Sequence, residues 1–397
     1  MVRVEPFEVE QWMDRLEVTP GVLNIAETCA APVSIDELVG LCEDKNASGP
    51  LDLSKMMTYG AIRGSESLRQ HVSRLLGEHS SAPLPAENVV ATQGAILANL
   101  SLFYTLVGPG DHVICVYPTY QQLYAVPESL GAEVSLWKLK EENGWVPDIG
   151  ELDGLVKANT KMIVINNPNN PTGAAIPTAI VQAVVDVAKE RGIIVFADEV
   201  YSPLFHSLPD GTEAPPSILS MSYEKTVATG SMSKAFALAG IRLGWIASRD
   251  KSIIQAVSSA RDYTTISVSQ LDDQVASYAL SDAVRPSLLR RNMNLAKTNL
   301  ALLDAFVQKY SSTCSWAKPT AGTTAFVQFR KQGRPINDGE FVLDVLDKTK
   351  VLFLPGTPCF GHGKDFNGYV RIGYACHTEI LEEGLLRLGG YIEQHMM

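Results

Sequence analysis

One lysine, Lys234, stands among small and apolar residues in the run SMSKAFALAG. Such a lysine is poorly solvated, so we expect the pKa of its amine to fall and the amine to become a usable nucleophile. The hydroxyls of Ser231 and Ser233 and the guanidinium of Arg242 lie nearby in the chain and can hold a phosphate. An amine that forms a Schiff base beside a phosphate anchor indicates pyridoxal phosphate (PLP). The alternative is a buried lysine paired with a carboxylate, near a helix that packs on the following glycines.

Three further segments accompany the lysine segment. NNPNNPTG covers residues 166–173, VFADEVY covers 195–201, and YVRIG covers 369–373. In this order and at these spacings, the four segments resemble the class I/II aminotransferases, which are PLP enzymes of fold type I. The resemblance runs from about Tyr59 to the C-terminus. The chain is most similar to the branch with broad-specificity aminotransferases, aminocyclopropane-carboxylate synthases and amino-acid cyclases.

Strand-like apolar runs alternate with helical stretches through the middle of the chain. The predicted strands are 88–92, 112–116, 133–137, 161–165, 193–197 and 225–229, and the clearest helices are 95–106 and 178–191. Wholly apolar strands separated by helices predict an α/β fold with a buried, mostly parallel sheet. Ligands bind such sheets at the carboxyl ends of the strands. Asn170, Asp198 and Lys234 each follow a strand closely, so we expect all three to face one crevice.

The resemblance implies three parts of the chain. These are a large PLP-binding domain over 46–284 with a seven-stranded type of sheet, a small α+β domain over 285–397, and an N-terminal segment, 1–45, that packs with the small domain. We expect a helix over 262–280 to close the large domain. A long amphipathic helix over 285–310 then leads into the small domain, which has strands at 323–329 and 369–372 and helices near 338–349 and 378–394.

The resemblance also implies catalytic roles. Lys234 carries the Schiff base and moves the proton from the substrate Cα. Asp198 pairs with the pyridinium nitrogen, which keeps the ring an electron sink. Tyr201 and Asn170 donate to the phenolic oxygen of PLP. The alternatives are a helix cap or a surface ion pair for Asp198, and a turn position for Asn170.

The cofactor phosphate needs its own site. Gly94, Ala95 and Ile96 open a helix after a strand, where free N–H groups and the helix dipole suit a phosphate. We expect them to converge with Ser231, Ser233 and Arg242 on that group. The resemblance places Tyr120 over the PLP ring as a stacking partner. The alternative for Tyr120 is simple core packing.

Two residues match family positions that bind the substrate or reach the partner subunit. Arg371 matches the arginine that grips the substrate α-carboxylate through a planar, bidentate contact. The alternative is a surface arginine on a strand. Tyr59 matches the tyrosine that reaches across a dimer interface to the phosphate of the partner subunit. The resemblance therefore implies a homodimer with shared active sites.

One segment departs from the family pattern. Where the family often has a glycine-containing segment near the substrate, this chain has Glu27, Thr28 and Cys29. Thr28 is a candidate substrate ligand, and all three suggest a specialised substrate or lyase or cyclase chemistry. A capping or interface role is the alternative. The sequence shows no clear second arginine for a distal carboxylate of the substrate. Arg63 and Arg261 are candidates, but neither lies in a pattern that assigns it this role.

Composition narrows the function classes. The 397 residues have a formal net charge of −11 and are 46% hydrophobic, which predicts a globular protein and argues against nucleic acid or an anionic membrane as the main partner. No run reaches the roughly 18 apolar residues of a membrane span. Residues 1–18 lack the apolar core of a signal peptide, so we expect a cytoplasmic protein. The six cysteines and seven histidines show no metal-ligand spacing, and we predict no metal.

Three functions are compatible with these residues. The first is an aminotransferase that acts on an L-amino acid and a 2-oxo acid. The second is a PLP-dependent lyase or cyclase. It would catalyse β- or γ-elimination, replacement or intramolecular cyclisation of a specialised amino acid. The third is a PLP-type fold that binds or regulates without catalysis, which the intact Lys234, Asp198 and Arg371 argue against. The motifs do not separate the first two functions.

Overall fold

The computed structural model describes residues 4–44, 48–78, 80 and 82–397. Its helices are α1 (Glu8–Leu16), α2 (Ile35–Gly40), α3 (Glu66–Gly77), α4 (Gly94–Leu106), α5 (Gln122–Ser129), α6 (Ile149–Leu155), α7 (Thr178–Arg191), α8 (Lys251–Arg261), α9 (Gln270–Ala279), α10 (Arg285–Lys309), α11 (Asp338–Thr349), α12 (Gly356–Phe360) and α13 (Thr378–His395). Its strands are β1 (Leu23–Asn24), β2 (Val89–Thr92), β3 (His112–Tyr117), β4 (Glu133–Lys138), β5 (Thr160–Asn166), β6 (Ile194–Asp198), β7 (Thr226–Ser231), β8 (Gly244–Ser248), β9 (Cys314–Ser315), β10 (Thr324–Lys331), β11 (Arg334–Pro335), β12 (Val351–Leu352), β13 (Leu354–Pro355) and β14 (Tyr369–Gly373).

The larger sheet has seven strands in the described residues, in the order β2-β8-β7-β6-β5-β3-β4. Neighbouring strands run parallel except at β8, which is antiparallel to both β2 and β7. Every residue of β3, β6 and β7 is buried, because helices cover both faces of the sheet. The predicted α/β fold with a mostly parallel sheet is therefore confirmed. The parallel order brings the carboxyl ends of β5, β6 and β7 to one edge.

The C-terminal part forms a second, antiparallel sheet in the order β11-β10-β14-β13, with β9 also paired to β10. It packs against α10, α11 and α13 around its own apolar cluster. The N-terminal segment contacts both parts, since β1 pairs in parallel with β12 and Ile25 lies in the same cluster, whereas Val9, Met13 and Leu38 lie in a cluster shared with the larger sheet. The domain boundaries at residues 45/46 and 284/285 stay a proposal.

One predicted helix is wrong at its start. The expected helix over 262–280 is limited to α9, and the residues before it form turns. Thr264, Thr265 and Ile266 are β-branched and disfavour a helix, and Ile266 adopts a φ of +59°. Ser269 then caps α9 by accepting a hydrogen bond from the amide of Asp272. None of the helices in the described part of the chain combines the length and apolar character needed to cross a bilayer.

Candidate active site

The last residues of three neighbouring strands line one cavity of about 670 Å³: Asn166 of β5, Asp198 of β6 and Ser231 of β7. Lys234 follows β7 closely and lines the same cavity, as does Asn170 after β5. The cavity is closed by the first turn of α4, by β14, by residues 27–29 and by α1. The expected crevice at the carboxyl ends of the strands therefore brings Asn170, Asp198 and Lys234 together.

The amine of Lys234 has acidic neighbours. Its Nζ lies 3.5 Å from Oε1 of Glu27 and 3.4 Å from Sγ of Cys29. Burial by itself lowers the pKa of Lys234, but the neighbouring acidic groups, chiefly Cys29 and Glu27, raise this pKa overall. The expected fall in the pKa of Lys234 is therefore wrong for the protein without a ligand. The prediction considered only the small apolar neighbours in sequence and not a carboxylate brought in from residue 27.

The pKa values of Glu27 and Cys29 are shifted as well. Burial raises the pKa of the Glu27 carboxyl, but Lys234 and hydrogen bonds from the next two residues outweigh burial and lower this pKa to about 2. Burial raises the pKa of the Cys29 thiol to about 11, so this side chain is a neutral thiol near pH 7. The departure from the family pattern thus places an ionised carboxylate and a thiol directly beside Lys234.

Asp198 is a buried carboxylate that is held mainly by neutral donors. Nδ2 of Asn99 donates to its Oδ2 at 2.9 Å, and the amide of Val200 donates to its Oδ1 at 3.1 Å. Burial raises the pKa of Asp198 to about 6. A cationic N–H group in the cavity, such as a protonated ring nitrogen, would offset that burial. This arrangement fits the pyridine nitrogen of PLP.

Sequence reasoning missed Asn99, which orients Asp198. Oδ1 of Asn99 accepts from the hydroxyl of Thr229 at 2.8 Å, and this contact leaves its amide N–H₂ pointing at Asp198. The available signal was a lone amide within the apolar helix GAILANLSLFYTL, since a buried amide of this kind needs hydrogen-bond partners.

Tyr201, Asn170 and Thr28 form the side of the cavity beside Lys234. All three are buried, with exposed fractions of 3% for Tyr201, 3% for Asn170 and 5% for Thr28. Burial raises the pKa of Tyr201, and the charges of Lys234 and Arg371 and a hydrogen bond with Thr28 oppose that rise. Asn170 accepts a hydrogen bond from Arg371 through its Oδ1 at 3.3 Å. The two proposed donors to the phenolic oxygen therefore line the cavity that contains the lysine.

Arg371 lies on β14 with an exposed fraction of 3%, so the alternative of a surface arginine is wrong. Its Nη2 donates to the carbonyl of Ala26 at 2.8 Å, and its guanidinium carbon lies 5.4 Å from the centre of the Phe360 ring. Its Nε has no hydrogen-bond partner within the described part of the chain. A buried guanidinium N–H that lines a cavity and lacks a partner fits an incoming carboxylate.

The proposed phosphate site is a turn and a helix terminus. α4 begins at Gly94 with no side-chain cap and no acidic residue in its first turn, so its first N–H groups are available to an anion. Ser231 donates to the hydroxyl of Ser233 at 2.9 Å, and Nη1 of Arg242 reaches that hydroxyl at 3.3 Å. Gly94 has a φ of +74°, and a Cβ there would meet Nη2 of Arg242 at 2.9 Å. These residues fit a phosphate.

Three further candidates for the cofactor site also line the cavity, namely Ala95, Ile96 and Tyr120. The hydroxyl of Tyr120 donates to Glu10 at 3.1 Å, and its ring centre lies 4.9 Å from that of Phe7. Tyr59 does not join them within one chain, because its side chain is 75% exposed and lies outside the cavity lining. Its proposed contact with a partner subunit stays a prediction.

The acidic side of α1 was also missed. Glu10, Asp14 and Glu17 line the mouth of the cavity. Their spacing of four and three residues was the available signal, because it places them on one face of a helix. The two candidate arginines for a distal carboxylate, Arg63 and Arg261, do not line the cavity.

The charged and polar lining of the cavity divides into two groups, which we call the inner wall and the outer wall. The inner wall consists of Lys234, Asp198, Arg371, Ser231, Ser233 and Arg242. The outer wall consists of Glu10, Asp14, Glu17 and Glu27.

Residues 43–387 match the family model described as aminotransferase class I and II. The chain belongs to this family. The inferred resemblance is therefore confirmed, and with it PLP as the cofactor that the family implies.

Solved structures extend the comparison. A PLP-dependent aminotransferase from Streptococcus suis is 36% identical, with a TM-score of 0.88 over 99% of both chains. The PLP-dependent cyclase OrfR shares the fold at 23% identity, with a TM-score of 0.85 over 99% of this chain and 98% of its own. Among curated proteins, the capreomycidine synthase of Streptomyces vinaceus is 27% identical over 348 residues, which is 87% of this chain and 84% of that protein.

Proposed function

We propose that this protein transfers the amino group of an L-amino acid to a 2-oxo acid with PLP as cofactor. The observation that carries the proposal is one cavity where an amine, a buried carboxylate and a buried guanidinium meet beside a phosphate site. Those groups are Lys234, Asp198 and Arg371. Membership of the aminotransferase family and the likeness to the Streptococcus suis enzyme support it.

Each side chain has a defined task in this proposal. When bound, PLP supplies an aldehyde that condenses with amines and a ring that withdraws electrons from the substrate Cα. Ser231, Ser233, Arg242 and the first turn of α4 would hold its phosphate. Asp198 would keep a proton on the ring nitrogen, because a buried carboxylate stabilises a neighbouring cation.

Substrate handling falls to other groups. The guanidinium of Arg371 would bind the α-carboxylate, and its unpartnered Nε would gain an acceptor. Tyr201 and Asn170 would donate to the phenolic oxygen. Lys234 would hold the proton that leaves Cα and return it during the second half of the cycle, once its amine is free and neutral.

Chemical trapping tests the proposal. PLP-loaded protein reduced with borohydride and digested with protease should carry the cofactor mass on Lys234 alone. Lys234→Ala should lose the label, and Lys225→Ala, which changes an exposed lysine outside the cavity, should keep it. Labelling of another lysine, or none, would overturn the site assignment.

A lyase or cyclase is the second candidate. Glu27 and Cys29 lie within 3.5 Å and 3.4 Å of the Lys234 amine, where a second acid or base could act on the substrate beyond Cα. Relatives named capreomycidine synthase and cyclase are compatible with this candidate. The fate of the substrate nitrogen separates the two reactions.

A homodimer is the assembly that we propose. Large apolar side chains are exposed at Leu53, Met56, Tyr59 and Tyr263, with exposed fractions of 87%, 84%, 75% and 92%. An exposed apolar surface of this kind indicates an interface. Sedimentation at several concentrations should give twice the monomer mass, and a monomer at all concentrations would contradict a shared site. The cytoplasmic location stays a prediction.

A further inference from the structure

The proposed function gives no role to the carboxylates of the outer wall. Among the described residues, the cavity is lined by the cations Lys234, Arg242 and Arg371 and by the carboxylates Asp198, Glu10, Asp14, Glu17 and Glu27. Under the proposed function, the cofactor and the substrate α-carboxylate occupy the three cations, and the ring nitrogen occupies Asp198. The four carboxylates of the outer wall remain. Glu27 would also lose its ammonium partner if the Lys234 amine were attached to the cofactor.

The carboxylates of α1 and of its C-cap, Glu17, repel one another. Glu10, Asp14 and Glu17 stand three and four residues apart on one face, and like charges at that spacing destabilise a helix. Burial raises the pKa of Glu17, and so do the neighbouring carboxylates of Glu27, Asp14 and Glu10. The nearest basic residue of the helix, Arg15, lies over the ring of Trp12 at 4.9 Å and does not line the cavity. A cation within the cavity would relieve this repulsion.

The residues that line the cavity also indicate the orientation of a bound amino acid. Arg371 lines the cavity, and its Nε has no hydrogen-bond partner among the described residues, which fits a ligand carboxylate at this end. Glu27 and the exposed carboxylates Glu10, Asp14 and Glu17 line the same cavity, so a side chain that extends from Arg371 can meet them. Val9 and Met13 line this path with apolar atoms, which suit the methylene groups of a long side chain.

We infer that the outer wall selects an L-amino acid whose long side chain ends in a cation, an amine or a guanidinium. This inference rests on the proposed function and names the class of its amino substrate. The α-carboxylate binds Arg371, the methylene groups lie against Val9 and Met13, and the terminal cation binds the carboxylates of α1 and Glu27.

Matched substrates test the inference on the PLP-loaded enzyme. L-Arginine and L-citrulline have the same length and shape, but only arginine is charged, and L-lysine and L-norleucine form a second pair. We expect kcat/KM to favour the charged member of each pair by about 30-fold, the range of hydrogen bonds to charged groups. Equal use of the charged and neutral members would overturn the inference.

Variants locate the effect. The double change Asp14→Asn/Glu17→Gln should lower the arginine-over-citrulline preference by about tenfold, while citrulline kinetics change little. Glu8→Gln is the matched control, because Glu8 belongs to the same helix but does not line the cavity. A preference that survives the outer-wall variant, or falls equally in Glu8→Gln, would overturn the assignment.

A binding measurement removes the dependence on turnover. α-Methyl-L-arginine and α-methyl-L-citrulline have no Cα proton to lose, so calorimetry on the PLP-loaded enzyme reports affinity alone. Tighter binding of the arginine analogue, weakened by salt and by the outer-wall variant, supports the inference. Equal binding of the two analogues, or binding of neither, overturns it. Failure of borohydride labelling at Lys234 would instead overturn the proposed function.

Discussion

The inner and outer walls of the cavity differ in origin and in charge balance. The inner wall lies at strand ends and on β14, and Asp198, Arg371, Ser231 and Ser233 are buried with fixed hydrogen-bond partners. The outer wall comes from α1 and the segment after β1, and the α1 carboxylates are exposed. The sheet therefore fixes the groups that any reaction of this family needs, while the N-terminal segment is free to set which substrate enters.

The largest expected effect comes from removing the amine of Lys234, which belongs to the inner wall. Lys234→Ala should lower kcat/KM by at least about 1,000-fold, because it removes both the attachment point and the group that moves the proton. Steady-state rates on purified protein measure this, and circular dichroism should show an unchanged fold. Lys225→Ala is the control. Turnover by Lys234→Ala near the wild-type rate would show that the inner wall is not the reaction centre.

Asp198→Asn tests charge at constant shape. We expect activity to fall on the order of 100-fold, as when one electrostatic group is removed from a reaction centre, with the cofactor still bound. The matched variant is Glu199→Gln, since Glu199 is the adjacent buried acid but lies outside the cavity lining. Equal losses in the two variants would mean that Asp198 acts through the fold and not through the cofactor ring.

Gly94→Ala tests the phosphate site. A Cβ at Gly94 would meet Nη2 of Arg242 at 2.9 Å, so the dissociation constant for PLP should rise about tenfold, or about 1.4 kcal/mol. Gly211→Ala is the control, because Gly211 has a φ of +77° against +74° at Gly94 but has open space around it. Fluorescence titration with PLP measures both variants. An equal rise in both would attribute the effect to backbone strain alone.

The smallest expected effect is on the outer wall, at Glu27. The pKa of Glu27 is about 2 in the folded protein against an ordinary 4.5, so its contribution to stability is present above about pH 4.5 and is lost as pH falls through about 2. Its side chain is 46% exposed, so Glu27→Gln should cost about 1 kcal/mol or less at pH 7 in the cofactor-free protein.

Thermal unfolding of wild type and Glu27→Gln at pH 7 and pH 3 measures this cost. The gap in Tm should narrow at the lower pH, because Glu27 of the unfolded wild-type chain takes up a proton below its ordinary pKa of 4.5, while the folded protein still holds the carboxylate ionised. Asp365→Asn is the control, since Asp365 lies 3.6 Å from Lys138 in an ion pair away from the cavity. A gap that widens on acidification would contradict the Glu27–Lys234 ion pair.

The sheet and the strand-end residues could be predicted because their signal is local. The apolar run before Asp198 predicts a buried strand, and the motifs around Asn170 and Lys234 directly follow such strands. The extent of α9 was predicted less well, because a run of β-branched residues and the cap at Ser269 end the helix where periodicity alone continues it.

The outer wall could not be predicted in the same way. Residues of the 10–17 segment come to line the same cavity as Lys234 only through the tertiary fold, in which β1 pairs with β12. The pKa of Lys234 was predicted in the wrong direction for the same reason, since Glu27 is 207 positions away in sequence but 3.5 Å away in space. Long-range contacts of this kind leave no mark in a local pattern.

The most direct test of the central claim follows the nitrogen. An L-amino acid labelled with ¹⁵N at its α-amino group is incubated with the PLP-loaded enzyme and an unlabelled 2-oxo acid, and products are identified by mass spectrometry. We predict that ¹⁵N appears in the new amino acid formed from the oxo acid, and that Lys234→Ala abolishes this transfer. Release of ¹⁵N as ammonium, or its retention in a cyclised product, would contradict the aminotransferase assignment.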